Sequence, residues 1–172
     1  RDHGQDSRYH HIRLGINGRL DTIQAAVLLA KLDIFEGEVA SRQRAAARYE
    51  TLLAEKAHQG FLALPVVLPH NKSTWAQYTV RVKNRPLVQQ LMTEAGIPTA
   101  VHYPISLYRQ PALEQSTVVC EQSDRAANEV LSLPMHPYLT DEVQQRIAEC
   151  LSEAIDASGA QPSFEASEGG IS

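Results

Sequence analysis

The stretch Gly15-Ile16-Asn17-Gly18-Arg19-Leu20-Asp21-Thr22-Ile23-Gln24-Ala25-Ala26 marks the change from a polar loop to a long helix. Residues 1–18 are polar and rich in His and Gly, which favours a loop. From Leu20 onward, apolar side chains recur at three- and four-residue steps, which is the period of a helix. Asp21 or Thr22 can cap its first turn, because both side chains carry an oxygen that accepts from backbone N–H groups.

The helical pattern continues past Gly37 to Leu53. A helix of this length is unusual in a globular protein unless it bends. We therefore expect a kink or break at Gly37, and a long bent helix of this kind is typical of a connection between two domains. The sequence accordingly predicts a first part over residues 1–36, a second over 37–156 and a disordered tail over 157–172.

Strand signals appear after the long helix. Residues 61–69 are apolar but interrupted by prolines, so they predict an edge segment or a loop. Residues 75–82 alternate between apolar and polar side chains, as a half-buried strand does. A second short strand is expected over 99–103, halted by Pro104.

Helices are predicted over 86–96, 123–131 and 140–155, each bounded by a proline, a glycine or a capping residue. Taken with the strands, they indicate an α/β fold in which a few-stranded sheet is covered by helices. The tail 157–172 is rich in Gly, Ser, Ala and Glu and shows no periodicity, which predicts disorder.

Composition excludes several classes of function. The 172 residues carry a formal charge of −4, which argues against a nucleic-acid-binding protein. No apolar run approaches the roughly 20 residues that a membrane helix needs. The two cysteines, Cys120 and Cys150, are too few for a disulfide framework, so we expect a reducing, cytoplasmic setting. The start Arg1-Asp2, without Met or a start signal, suggests the middle of a longer protein.

Four segments, in order, resemble the DegT/StrS family of sugar aminotransferases. The stretch 15–26 resembles the family signature G-x-N-x-R-x-D-x-x-Q-A-A, and His3-Gly4-Gln5 matches upstream of it. Val101-His102-Tyr103-Pro104 and residues 133–140 match downstream. The resemblance covers roughly residues 1–155. It implies the C-terminal small domain and linking helix of a fold type I enzyme, similar to aspartate aminotransferase, with 1–36 as the end of the large domain.

The resemblance also implies an activity. Members use pyridoxal 5′-phosphate (PLP), act as homodimers and take a nucleotide-sugar with an amino donor. The doublet His10-His11 followed by Ile12-Arg13 is similar to bacterial enzymes that aminate UDP-linked 2-acetamido-3-oxo-glucuronate. The expected function is therefore amination of C3 of a UDP-3-oxo-sugar, with glutamate as donor, for a surface polysaccharide such as O-antigen.

Two residues of the signature are assigned roles by this resemblance. Asn17 would donate from its amide to the cofactor phosphate of the other subunit, although an Asn beside a Gly is also a common turn residue. Arg19 would grip the C6 carboxylate of a uronate substrate, because a guanidinium binds a carboxylate through two parallel hydrogen bonds. An ion pair with Asp21 is the alternative for Arg19.

His102 and Tyr103 end the second predicted strand, and strand ends in α/β folds often bind ligands. They are therefore candidate substrate-binding residues, while a structural role for the histidine stays open. Arg8, Tyr9 and Arg13 form a basic, aromatic loop that could lie near an anionic substrate or simply face solvent. No spacing of Cys and His indicates a metal site.

The family's lysine, which forms an imine with PLP, lies upstream of the H-G-Q segment in the family. Lys31, Lys56, Lys72 and Lys83 do not match its motif. The chain is therefore expected to be inactive alone and to hold no catalytic residue of its own. Two alternatives stay open: a related PLP-dependent sugar dehydratase, in which a histidine replaces the lysine, and a non-catalytic binding or dimerisation module.

Overall fold

The computed structural model describes residues 3–18, 20–113 and 117–164. The chain forms two compact units. The first unit comprises residues 1–36 and 103–128, and the second comprises 37–102 and 129–172. The first unit thus includes 103–128, which the sequence had placed with the second part of the chain.

A three-stranded antiparallel sheet lies in the second unit, in the order β3-β4-β5. Strand β3 (Leu62–Ala63) pairs at the edge, as predicted for an apolar segment interrupted by prolines. The central strand β4 (Tyr78–Val82) buries every second residue, which confirms the half-buried strand. The α/β class predicted from the sequence is confirmed.

The third strand is not the predicted one. Residues 99–103 form only a single bridge, between Ala100 and Ser132, and the neighbouring prolines explain this because they lack a backbone N–H for a ladder. The pairing partner of β4 is instead β5 (Val130–Leu133), which the sequence had predicted as the end of a helix. Helix α3 (Glu121–Glu129) stops before it, because pairing with β4 outweighs the helical propensity of this short segment.

Helix α1 (Thr22–His58) is 37 residues long and runs continuously through Gly37, so of the kink or break expected there, the break is wrong. A single glycine costs a helix only about 1 kcal/mol relative to alanine, which the helical residues on either side of it can offset. The division between the two units nevertheless falls after Glu36. The predicted cap is confirmed: the Asp21 carboxylate accepts from the Gln24 N–H at 2.8 Å. No helix within the described ranges is long and apolar enough to span a membrane.

The core of the second unit lies between the sheet and three helices: the second half of α1, helix α2 (Arg85–Glu94) and helix α4 (Asp141–Ala157). The Tyr49 hydroxyl donates to the Pro134 carbonyl at 2.9 Å, and burial raises the pKa of Tyr49 above its ordinary value. The predicted cap of α4 is confirmed, since the Thr140 side chain accepts from the Val143 N–H. These polar contacts fix the register of packed helices around an apolar interior.

Packed structure continues beyond α4. Phe164 is only 9% exposed. The guanidinium carbon of Arg81 and the ammonium of Lys83 lie 5.4 and 5.2 Å from the centre of its ring, which is cation–π distance. The disorder predicted over 157–172 is therefore wrong for its first half. A lone aromatic residue packs there against two cationic side chains, a contact that sequence periodicity does not reveal. Residues 165–172 lie outside the described residues.

The first unit contains a short hairpin that the sequence analysis did not predict. Strand β1 (Gln5–Ser7) pairs with β2 (His10–His11) in an antiparallel ladder with an irregular register. Two-residue and three-residue strands are too short to show an alternating pattern. The remainder of the described unit consists of the start of α1, two single 3-10 turns within 103–113, and most of α3.

One carboxylate braces the segment 103–113. Asp124, on α3, accepts from Arg109 through Nε at 2.8 Å and Nη2 at 2.6 Å, from the Tyr108 hydroxyl, and from Ser106 Oγ at 2.7 Å. These bonds, that from Arg109 foremost, hold the pKa of Asp124 well below its ordinary value of 3.8. The charged carboxylate therefore ties three residues of the segment to one helix.

We predict that Asp124→Asn loosens the segment 103–113. Because the folded pKa lies below the ordinary value, the charged form stabilises the unit above about pH 4, and that stabilisation is lost as the pH falls further. Amide hydrogen exchange at Arg109 and Gln110, corrected for intrinsic rates, should accelerate in the wild type below about pH 4. In the variant it should be fast at neutral pH, without the additional acid step.

Asp141→Asn is the matched control, because the Asp141 carboxylate is 73% exposed and lies 3.5 Å from Arg48 in the second unit. It should leave the exchange of both amides unchanged. Wild-type protection in Asp124→Asn would show that the carboxylate does not brace the segment.

Candidate functional site

The first unit contains a cleft of about 610 Å³, which is within the size range of small-molecule sites. Its walls come from two segments that are far apart in sequence, residues 3–15 and 103–113. The lining residues are His3, Gln5, Arg8, Tyr9, His11, Arg13, Leu14, Gly15, Tyr103, Ile105, Leu107, Gln110, Ala112 and Leu113.

Two tyrosines, one from each segment, meet at the cleft. The rings of Tyr9 and Tyr103 are 5.5 Å apart between centroids and nearly perpendicular, an edge-to-face pair. Tyr9 adopts a left-handed backbone conformation with φ of 65°, which is strained for a bulky residue. The cleft therefore offers an aromatic surface in which tertiary contacts hold Tyr9 in a strained backbone conformation.

The polar lining of the cleft is basic. Arg8 and Arg13 both contribute to it, and neither forms a salt bridge with a carboxylate of the described residues. The Arg8 guanidinium donates to the Tyr9 hydroxyl at 3.1 Å. Since the lining residues that the structure describes include two arginines and no Asp or Glu, this part of the cleft favours a ligand with negative charge.

Two glycines of the predicted motifs allow this wall to form. A Cβ atom on Gly4 would lie 1.9 Å from the Arg13 carbonyl oxygen, and one on Gly15 would lie 2.2 Å from the Gly4 nitrogen. The Gly4 carbonyl accepts from the N–H groups of Ile12 and Arg13 at 3.2 and 3.3 Å. Both glycines are therefore required by close backbone approach within the hairpin region.

The histidine doublet diverges, as expected for adjacent residues. His10 Nδ1 lies 2.7 Å from the Asp6 carboxylate, while His11 Nδ1 lies 3.0 Å from the His3 carbonyl oxygen. Only His11 lines the cleft. Among the residues that the structure describes, no three His, Cys, Asp or Glu side chains are grouped so that they could hold a metal ion.

The predicted site residues lie in different places. Tyr103 lines the cleft and is 61% exposed. His102 belongs to the second unit, where its Nδ1 lies 3.2 Å from Ser132 Oγ beside a separate hollow of about 310 Å³. Asn17 is exposed in the first unit and is not among the cleft-lining residues, and Arg19 lies outside the described residues.

One lining residue carried no sequence signal. Gln110 is only 6% exposed, and its side chain hydrogen-bonds to backbone groups of the hairpin. Neither periodicity nor turn chemistry distinguishes a buried glutamine from an exposed one. Arg8, Tyr9 and Arg13 were visible as a basic, aromatic loop, but their shared cleft with 103–113 was not.

Comparison with known proteins gives relatives over most of the chain. The chain is 53% identical over 137 residues to a UDP-2-acetamido-2-deoxy-3-oxo-D-glucuronate aminotransferase of Pseudomonas aeruginosa, covering 80% of this chain and 37% of that protein. A DegT DnrJ EryC1 StrS aminotransferase from Brucella abortus superposes with a TM-score of 0.70 at 36% identity, covering 88% of this chain and 40% of that one.

The crystal structure of S. venezuelae DesV in complex with a ketimine intermediate gives a TM-score of 0.72 at 30% identity, covering 90% of this chain and 42% of that one. The chain thus spans about two fifths of the length of the relatives it matches. The DegT/DnrJ/EryC1/StrS aminotransferase family model matches residues 1–152. The resemblance read from the motifs is confirmed, and the chain belongs to the DegT/DnrJ/EryC1/StrS aminotransferase family.

Proposed function

We propose that this chain is the C-terminal part of a PLP-dependent enzyme that aminates C3 of a UDP-3-oxo-sugar. The proposed substrate is a 2-acetamido-glucuronate, the amino donor is glutamate, and the product serves surface-polysaccharide synthesis such as that of O-antigen. The observation that carries the proposal is the basic, tyrosine-lined cleft of the first unit. Family membership supports amino transfer, and the 53% identical relative is named for a 3-oxo-glucuronate.

The cleft suits a nucleoside diphosphate. The guanidiniums of Arg8 and Arg13 can each donate two hydrogen bonds to phosphate oxygens, and they keep their charge at every physiological pH. The rings of Tyr9 and Tyr103 supply flat apolar surface against which a uracil or a ribose can pack. The apolar side chains of Leu14 and Leu113 complete the lining, so both the charged and the flat parts of the ligand find partners.

The remaining predicted contacts belong to this proposal. Arg19 would bind the C6 carboxylate of the sugar, and His102 and Tyr103 would contact the substrate. Tyr103 is supported by its place in the cleft. His102 would have to act from the second unit, where it shares a hydrogen bond with Ser132.

The residues present fit only part of the cofactor's needs. The exposed amide of Asn17 can donate to the phosphate of PLP, as proposed across a subunit boundary. When bound, PLP serves as an electron sink for the amino transfer. We propose that its imine lysine lies outside this chain, because none of the chain's four lysines matches the lysine motif that the family resemblance implies. These lysines are Lys31, Lys56, Lys72 and Lys83, with Lys56 bound to Asp156 and Lys83 to Glu129. The proposal therefore places this lysine outside the chain and the chain alone is inactive.

The start of α1 supports a larger assembly. Over residues 22–36 this helix carries apolar side chains on two sides that are about a third of a turn apart. Each of these side chains is 49–79% exposed. The first side consists of Ile23, Val27 and Ile34, and the second of Leu28, Leu32 and Phe35, while Leu29, 67% exposed, lies on neither. A helix that is apolar on more than one side is normally buried.

We assign one side to the part of the polypeptide that lies outside this chain and the other to the second subunit of a homodimer. The chain's coverage of 37% of the P. aeruginosa relative leaves ample polypeptide for the first role. The proposed setting is the cytoplasm, which the free thiols of Cys120 and Cys150 support.

We predict that Arg8→Ala and Arg13→Ala each weaken UDP binding to the full-length gene product about tenfold, the loss of one charge-assisted phosphate contact. Affinity for uridine, which lacks the phosphates, should change little. Isothermal titration calorimetry with UDP and uridine measures both.

Arg44→Ala is the matched control, since Arg44 is exposed in the second unit and donates to Ser41 Oγ at 2.9 Å, away from the cleft-lining residues. It should bind UDP as the wild type does. Wild-type UDP affinity in both cleft variants would exclude the cleft as the diphosphate site.

We predict that Arg19→Ala raises KM selectively for the sugar that bears a C6 carboxylate. Removing a bidentate guanidinium should weaken binding of the uronate about tenfold or more, and the matching uncharged hexose should be little affected. Arg19→Lys keeps the charge but loses the planar guanidinium, so its KM for the uronate should lie between those of the wild type and Arg19→Ala. Steady-state kinetics with both sugars tests this, and equal losses on the two sugars would rule out a carboxylate contact.

A further inference from the structure

A buried side-chain amide joins the two walls of the cleft. Gln110 Oε1 accepts from the His11 N–H at 3.0 Å, and Gln110 Nε2 donates to the Tyr9 carbonyl at 3.1 Å. These two backbone groups flank His10, so the amide pairs with the hairpin as a residue of a parallel strand would. Of the common side chains, only a primary amide offers a donor and an acceptor in one plane at this reach.

The backbone of Gln110 is itself fixed. Its N–H donates to the Leu107 carbonyl at 3.1 Å, and its carbonyl accepts from the Leu113 N–H at 2.8 Å. The preceding residue, Arg109, is held by the Asp124 carboxylate. The backbone that carries the amide is therefore held by its own hydrogen bonds. For this reason we treat the two side-chain bonds of Gln110 as a constraint on the hairpin.

The constraint acts where the hairpin is strained. Tyr9 has a positive φ of 65°, a conformation that is unfavourable for a bulky residue and persists only where its surroundings enforce it. The bond from Gln110 to the Tyr9 carbonyl lies directly after this strained angle. Release of this bond would let Tyr9 relax and leave its edge-to-face contact with Tyr103, while Arg8 would move with it.

We propose that Gln110 is a positioning residue for nucleotide binding, holding Tyr9 and the adjacent Arg8 in the geometry that the ligand meets. The proposal rests on the function proposed above. Gln110 does not take part in the chemical step in this proposal, because both of its side-chain hydrogen bonds end on the protein backbone. Its loss should therefore raise Kd and KM while leaving kcat nearly unchanged.

The test compares Gln110→Ala and Gln110→Glu in the full-length gene product. Gln110→Ala should weaken UDP binding about tenfold, the worth of two backbone hydrogen bonds, and raise the exchange rate of the His11 amide. Gln110→Glu should be equally weak at neutral pH, since a carboxylate cannot donate to the Tyr9 carbonyl. As the pH falls, the carboxyl of Gln110→Glu becomes protonated and can both donate to the Tyr9 carbonyl and accept from the His11 N–H. The UDP affinity of this variant, relative to the wild type at the same pH, should therefore recover.

Gln90→Ala and Gln90→Glu are the matched controls, because Gln90 is exposed on α2 and its side-chain amide donates to the Glu94 carboxylate four residues on. Their affinity relative to the wild type should stay near one at every pH. A wild type that does not bind UDP overturns both proposals. If Gln110→Ala binds UDP as the wild type does, only the proposed role of Gln110 is overturned. The same holds if the UDP affinity of Gln110→Glu does not recover at low pH. The glutamate variant therefore tests the role of Gln110 even if the alanine variant does not fold.

Discussion

The cleft depends on one pair of hydrogen bonds between segments that are 99 residues apart in the chain, from the Gln110 amide to the backbone of the hairpin. Each bond is worth only about 1 kcal/mol. We propose that their effect is geometric, since one of them ends on the carbonyl of Tyr9, whose φ is positive. The carboxylate of Asp124 continues the constraint on the other side by fixing Arg109. The short hairpin and the segment of single 3-10 turns thereby each form one wall of the cleft.

The fold could be predicted where local chemistry decides it. The cap at Asp21 and the alternation of Tyr78, Val80 and Val82 follow from rules that act within a few residues, and both were predictable. The identity of the third strand was not. Val130–Leu133 has the composition of a helix end, and only its pairing with β4 makes it a strand. The continuity of α1 through Gly37 was also not predicted. A single glycine costs a helix only about 1 kcal/mol and therefore need not end it.

The candidate site shows the same division. The motifs identified the family, and with it Asn17, Arg19, His102 and Tyr103 as proposed ligand contacts. They did not reveal that Tyr103 shares a cleft with Tyr9, or that His102 lies beside a different hollow with Ser132. These facts depend on which turn the chain makes between adjacent residues. A buried glutamine that bonds only to backbone is equally hidden from sequence reasoning, because its partners are distant in the chain.

We propose that the cleft built from residues 3–15 and 103–113 receives the nucleotide of a UDP-sugar. A crystal structure of the full-length gene product with UDP bound tests it most directly. We expect the diphosphate oxygens to lie within about 3 Å of the guanidinium nitrogens of Arg8 or Arg13, with the nucleoside against the Tyr9 or Tyr103 ring. UDP bound elsewhere, with this cleft empty or filled by protein, would show that the cleft is not the nucleotide site.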